Sequence, residues 1–223
     1  MKSNRYIILL FTFIFSIALS NKIAVATKVK GPVEIMPIGK KGFSDLRPGT
    51  ILSDGDKIRT GPSGFTAFIF IDDKSTLKVK DNSEVVITGK RTAASISKKI
   101  NMDEGTIRAT VKKQNTDFVI QTPTSVASVK GTDFWLVSDP ETGDQIIGIE
   151  GIVGLTNIET GQEIDVSEGM SGLSTPDGNV GLTETDPSSI PEDPSDDIEG
   201  PSQVKIYLEG PNGEQKVMII EYQ

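Results

Sequence analysis

The sequence predicts an all-β fold, and three observations carry that expectation. Short runs rich in Val, Ile, Phe and Thr recur along the chain, each bounded by Gly, Pro, Asn or Asp. No ten-residue stretch shows a clean apolar period of about 3.6, so helix is expected to be scarce. Glycine is frequent (22 residues) beside a hydrophobic content of 36%, which suits a turn-rich β protein better than a helical bundle.

The chain opens on an export signature. Lys2 and Arg5 precede the apolar run Ile7–Leu19, broken only by Thr12 and Ser16. Ala18 and Ser20 frame a processing site before Asn21, so residues 1–20 read as a signal peptide. Ala24-Val25-Ala26 offers a second site, before Thr27. At ~1.5 Å per residue the apolar run covers about 20 Å, short of the ~30 Å hydrocarbon core, so cleavage is expected rather than anchoring. No other segment approaches spanning length. The mature protein is expected in the periplasm or cell envelope, or released, without a membrane span.

Composition then removes most chemistries. The chain has no Cys, hence no disulfide, thiolate nucleophile or cysteine metal site. It has no His, which removes Ser-His and Cys-His pairs and the commonest ligand of transition metals.

Taken in order, Val29–Met36 reads as the first strand. Phe65–Ile71 is a near-continuous apolar run, expected as a central strand buried on both faces. Asp72-Asp73-Lys74-Ser75 is the turn after it, and Thr76–Lys80 alternates as a half-buried strand. Glu84–Thr88, Thr106–Val111, Asp117–Gln121, Phe134–Val137, Gln145–Glu150 and Gly151–Asn157 add further strands. Asp54-Gly55, Glu104-Gly105, Glu150-Gly151 and Glu168-Gly169 each place an acidic-Gly pair at a strand junction, where Gly permits a positive φ. Residues 183–203 hold four prolines and seven carboxylates with no Lys or Arg, and read as an extended, acidic Pro-rich linker. Beyond it, residues 204–223 alternate around Gly210-Pro211-Asn212-Gly213 as a C-terminal β-hairpin. Charge is segregated: residues 21–130 hold 19 basic and 11 acidic residues, whereas residues 131–204 hold 17 acidic residues and no basic one. Two differently solvated faces explain this, as does a basic face turned to an anionic partner. Nucleic acid is not expected, because the chain carries a net charge of −8 and an export signal.

Three segments resemble the FecR domain family. Leu46–Thr60 resembles its opening pattern, "L-x-x-G-x-x-L-x-x-G-D-x-I-x-T", through Gly49, Gly55, Asp56 and Thr60. Glu104–Arg108 is similar to a mid-domain strand built on Gly105. Thr122–Phe134 resembles "T-P-x-A-x-x-x-V-R-G-T-x-F" through Pro123, Gly131, Thr132 and Phe134, with Lys130 in place of the usual Arg. Glu150-Gly151 then stands where the family has its "E-G" pair. The resemblance covers residues 27–175 and implies an extracytoplasmic, multi-stranded β domain, solenoid-like or double-layered. In well-known members such a domain follows a transmembrane helix and a cytoplasmic segment that binds a sigma factor. Here only Met1–Tyr6 precede the apolar run, and direct sigma-factor binding is not expected. Read from the residues alone, these positions are turns and core: Gly makes the corner, Asp caps it, and Ile58 enters the core. Gly131-Thr132 bends the chain before Phe134-Trp135 resumes pairing; Phe68, Ile69 and Trp135 are expected to be buried.

Function is therefore expected to be non-catalytic, a binding or signalling module engaging an envelope protein or glycan, without cofactor or metal. A structural adaptor acting by β-strand pairing is the alternative. A carboxylate-dependent glycan hydrolase stands third, since Asp54/Asp56 or Asp72/Asp73 supply the acids but no aromatic sugar platform accompanies them. Ser128 and Lys130 are two apart, a spacing open to a Ser-Lys pair, but no oxyanion motif accompanies them. No segment fits a D-x-[DN]-x-[DN]-G calcium loop.

Overall fold

The protein is described by a computed structural model over residues 22–91, 95–113, 116–194, 203–209 and 215–221, with side chains in the last two segments described only at Val217 and Ile219. The signal peptide expected at 1–20 and the hairpin turn at 210–213 lie outside the described residues.

Among the described residues, seventeen strands form the body. The first eight are β1 (Lys22–Lys30), β2 (Val33–Met36), β3 (Ser44–Asp45), β4 (Ile51–Ser53), β5 (Asp56–Thr60), β6 (Phe65–Phe70), β7 (Thr76–Val79) and β8 (Ser83–Arg91). The long β9 (Ile96–Thr110) follows, then β10 (Phe118–Gln121), β11 (Ser125–Val129), β12 (Asp133–Asp139) and β13 (Gly143–Glu150). The series closes with β14 (Ile152–Asn157), β15 (Glu163–Ser167), β16 (Met170–Ser174) and β17 (Val180–Glu184). Among the described residues the only helical element is one 3-10 turn, Pro187–Ser189.

The strands pair into two layers. The first sheet runs β4-β1-β6-β7-β9-β12-β13-β16-β17. The second runs β3-β2-β5-β8-β9-β10-β11-β14-β15. Every pairing is antiparallel except β9 with β10. The chain repeatedly crosses from one layer to the other, so the expected double-layered β domain is what forms. Residues 96–104 of β9 pair in the second sheet and 105–110 in the first, which makes β9 the covalent tie between layers. Gly105 is the hinge, at φ +120°, and a Cβ there would come within 2.1 Å of the Ser83 hydroxyl. The layers face one another. Phe70 of the first sheet meets Phe118 of the second edge-on at 5.6 Å, and Ile23 fills the space over Gly89. Ile23, Leu52, Phe68, Phe70, Leu77, Ile100, Phe118 and Phe134 are all fully buried in the shared core.

Several sequence expectations shift. The domain does not open at Thr27: β1 begins at Lys22, and Ile23–Ala26 are 0% exposed between β4 and β6. Nor does it close at 175, because β17 extends the first sheet to Glu184. The strand expected over Val29–Met36 is two strands, broken where Gly31 takes φ +66° ahead of Pro32. The run Phe65–Phe70 is buried at every position, and the hairpin forms as β18 (Gln203–Glu209) with β19 (Gln215–Glu221). Its Val217 and Ile219, opposite Tyr207 and Lys205 in the register, are about half exposed.

Candidate functional site

The residues singled out in the sequence lie at corners and in the core. Gly49 and Gly55 both take φ +85°, and the Gly49 N–H donates to the Ala26 carbonyl. The buried Asp56 carboxylate accepts from the N–H groups of Ser53 (2.8 Å) and Ile38 (3.1 Å) and so pins the turn before β5. Thr60 donates to the Lys80 carbonyl and accepts from Ser83 N–H. The Thr122 hydroxyl accepts from Thr124 and Ser125 N–H and donates to the buried Asp144 (2.5 Å), which also accepts from Ser125. Pro123, Lys130 and Glu150 are exposed; Thr132 is buried and Phe134 is 0% exposed. Gly131 (φ +117°) and Gly151 (φ +81°) back onto each other so closely that a Cβ on Gly151 would lie 2.8 Å from the Gly131 carbonyl. The last two family-like segments thus meet at one corner.

The carboxylates weighed for catalysis are occupied by the fold. Asp54 accepts from Gly89 N–H, and Asp72 from Ile96 N–H. Asp72 and Asp73 both pair with the fully buried ammonium of Lys98, at 2.9 and 2.8 Å. Ser128 and Lys130 are exposed at the end of β11. Among the described residues no group of three acidic side chains is placed to hold a metal ion. An open cleft of about 460 Å³ lies beside β8, β9 and β10, lined by Asp54, Lys90, Lys99, Asp117 and Gln121 among others. Its charges are mixed.

The outward face of the first sheet is built differently. Register carries one row straight across it: Ala67, Lys78, Arg108, Trp135, Ile147, Ser171, Thr183. Alternation turns this row away from the shared core, and neither Trp135 nor Ile147 belongs to that core. Yet they are 1% and 0% exposed. The segment 185–193, which the sequence assigns to a linker, runs along the row. The Thr185 hydroxyl meets that of Ser171 at 2.9 Å, and Thr185 N–H donates to the Gly169 carbonyl. Asp186 caps the 3-10 turn by accepting from Ser188 N–H, and this bond holds its carboxyl below the ordinary value. At the far end, Asp193 accepts from Lys78 (2.5 Å) and Arg108 (2.9 Å), and the Glu192 carbonyl from Lys80 (3.0 Å). From Ser171 to Lys78 is about four interstrand spacings, ~19 Å, a span that eight residue steps including one 3-10 turn cover.

Arg108 is the hub of this arrangement. It grips Asp133 with two parallel bonds of 2.9 Å and spends a third donor on Asp193. The bond to Asp133 raises its pKa against the opposing effect of burial, with Asp193 adding to the rise. The guanidinium and the Lys80 ammonium also lie 5.7 and 5.8 Å from the Trp135 ring centre. Sequence reasoning did not find this site. The signals were present: an acidic, proline-containing run lacking Lys and Arg, following a domain half rich in Lys.

Residues 56–153 match the family described as FecR protein, from the start of β5 into β14. No curated protein matches the sequence. Two crystal structures described as a candidate anti-sigma factor from Parabacteroides distasonis ATCC 8503, at 2.50 and 1.65 Å resolution, are similar at 13% and 14% identity, with TM-scores of 0.49 and 0.48. Each comparison covers 58% of this chain and 60% of the solved one, so this chain spans about three fifths of their length.

Proposed function

We propose that this chain, which carries a FecR domain over residues 56–153, is a non-catalytic binding or signalling module that is exported and works in the cell envelope. The observation that carries the reading is the strapped outer face of the first sheet. There Lys80 and Arg108 lie over Trp135, Lys78 and Arg108 hold the Asp193 carboxylate, and Lys80 holds the Glu192 carbonyl. Cations around an indole, on a flat β surface crossed by an extended segment, recognise polypeptide rather than transform it. The carboxylates elsewhere support the same reading, being committed to backbone N–H groups and to Lys98. Export is supported by the charged start and apolar run of residues 1–20.

The test is a pair of assays on the purified mature protein. No turnover is expected on glycan, peptide or ester panels, while immobilised protein retains a specific partner from envelope extract. Turnover abolished by Ser128→Ala, Asp54→Asn or Asp72→Asn overturns the reading.

A second reading, partner capture by strand pairing, rests on β17. Among the described residues it pairs only with β16, and its last four residues are exposed. A proline in β17, at Leu182, abolishes capture under that reading and leaves it intact under the first.

A further inference from the structure

We propose that the outward row of the first sheet is a groove for an extended acidic polypeptide segment of a partner, and that residues 185–193 are its resident occupant in cis. The inference rests on the binding role proposed above and adds the site and the chemistry of what it binds.

The groove has a floor, a cationic end and a polar anchor at the opposite end. Trp135 and Ile147 make the floor, outside the main core but fully covered. Lys78, Lys80 and Arg108 gather three positive charges at one end, all of them engaged by strap atoms. Ser171 anchors the other end through Thr185. What lies in the groove has the composition of a ligand rather than of a core element. Residues 185–193 are Thr-Asp-Pro-Ser-Ser-Ile-Pro-Glu-Asp, with two prolines and three carboxylates, and Ile190 remains 38% exposed. A segment evolved only to seal Trp135 would place apolar side chains over it. This one offers the groove the Asp193 carboxylate, the Glu192 carbonyl and the Thr185 hydroxyl, features that another acidic, proline-containing segment can reproduce.

Two consequences follow from an occupant tethered in cis. Its effective concentration is on the order of millimolar, so a partner segment competes against it and binds with an apparent affinity reduced by the fraction of time the groove is vacant. Because the contacts at the Lys78 end are ionic and only partly buried, with side-chain exposures of 12–23%, raised salt loosens strap and partner alike.

Trp135 is the sole tryptophan of the chain and sits on the groove floor, so its fluorescence reports occupancy directly. The experiment measures acrylamide quenching in the full mature chain, in Asp193→Lys, which sets a like charge against Lys78 and Arg108, and in the double variant Lys78→Asp/Asp193→Lys. The probe is a synthetic peptide of residues 183–194 of this chain. Asp193→Lys is expected to raise quenching several-fold with the thermal transition of the domain retained. The peptide should restore protection in that variant, and bind it about 10-fold or more tighter than the wild type, where the strap is in place. A peptide with Ala at the Asp193 position should fail, and the double variant should recover protection without peptide. If Asp193→Lys does not fold, recovery of protection in the double variant still decides. Unchanged quenching in Asp193→Lys, absence of peptide protection, or absence of charge-swap rescue each overturns the groove. Those failures leave partner capture from envelope extract untouched, so they are distinguishable from failure of the broader role.

Discussion

Gly105 and Asp186 show how much rests on single backbone positions. At Gly105, φ +120° and the Ser83 side chain together exclude a Cβ, while Thr106 N–H is left to bond the Ser83 hydroxyl. Gly105→Ala is therefore expected to lower stability by more than ~1 kcal/mol in urea unfolding, with β9 unable to pass between sheets without strain. A change below about 0.5 kcal/mol would show that β9 bends without it. Asp186 tests the strap from its near end. Its folded pKa is lowered, first by Ser188 N–H and then by the Ser188 hydroxyl. The stabilisation it gives is present above its unfolded value and lost as pH falls through the folded one. Trp135 is accordingly expected to become more quenchable as the medium is acidified through that range, and Asp186→Asn to flatten this dependence. At this scale the sequence was legible. Gly55, Gly151 and Gly169 sit at corners between strands and Gly105 inside β9 where it passes between the sheets, all four with positive φ, because glycine's freedom is a local property.

Among the elements, β6 was readable, and β9 was readable only in its last part, Thr106–Thr110. The run Phe65–Phe70 is uniformly buried, and an unbroken apolar series announces a strand covered on both faces. Phe68, 0% exposed, packs in the shared core, so Phe68→Ala is expected to cost about 3–5 kcal/mol in urea melts. The first part of β9 escaped because Ser97–Lys99 and Asp103–Glu104 look like turn chemistry. Lys98 in particular reads as solvent-facing, yet is fully buried by its pairing with Asp72 and Asp73 across the β6–β7 turn. That compensation is long-range and leaves no local trace. The segment 185–193 failed for the same reason. Low hydrophobicity and like charge predict a free linker, whereas the cations of β7 and β9 give Asp193 somewhere to bind. The terminal hairpin, β18 with β19, is two-stranded and marginal alone. Deleting residues 204–223 is expected to lower the melting temperature of the remainder; an unchanged transition would mean that the hairpin does not rest on the domain.

For the whole molecule, segregation of charge acquires a physical use. The basic first half supplies Lys78, Lys80 and Arg108, the acidic second half supplies Asp133 and Asp193, and folding brings them together across the outer face. The sequence displayed the imbalance but not the partner, because contacts 85 and 115 residues apart follow from topology rather than pattern. The fold also discriminates between the two processing sites. Cleavage before Thr27 would remove Ile23–Ala26, which lie buried between β4 and β6, so N-terminal sequencing of the mature protein is expected to read from Asn21. Under the proposal above, this chain acts by holding a partner's segment against that face. The most direct measurement compares what three immobilised mature proteins retain from envelope extract: wild type, Asp193→Lys with the strap released, and Lys78→Asp/Lys80→Asp with the cations reversed. One and the same partner should be retained more strongly by Asp193→Lys than by wild type, and lost from Lys78→Asp/Lys80→Asp. Equal retention by all three would contradict the account.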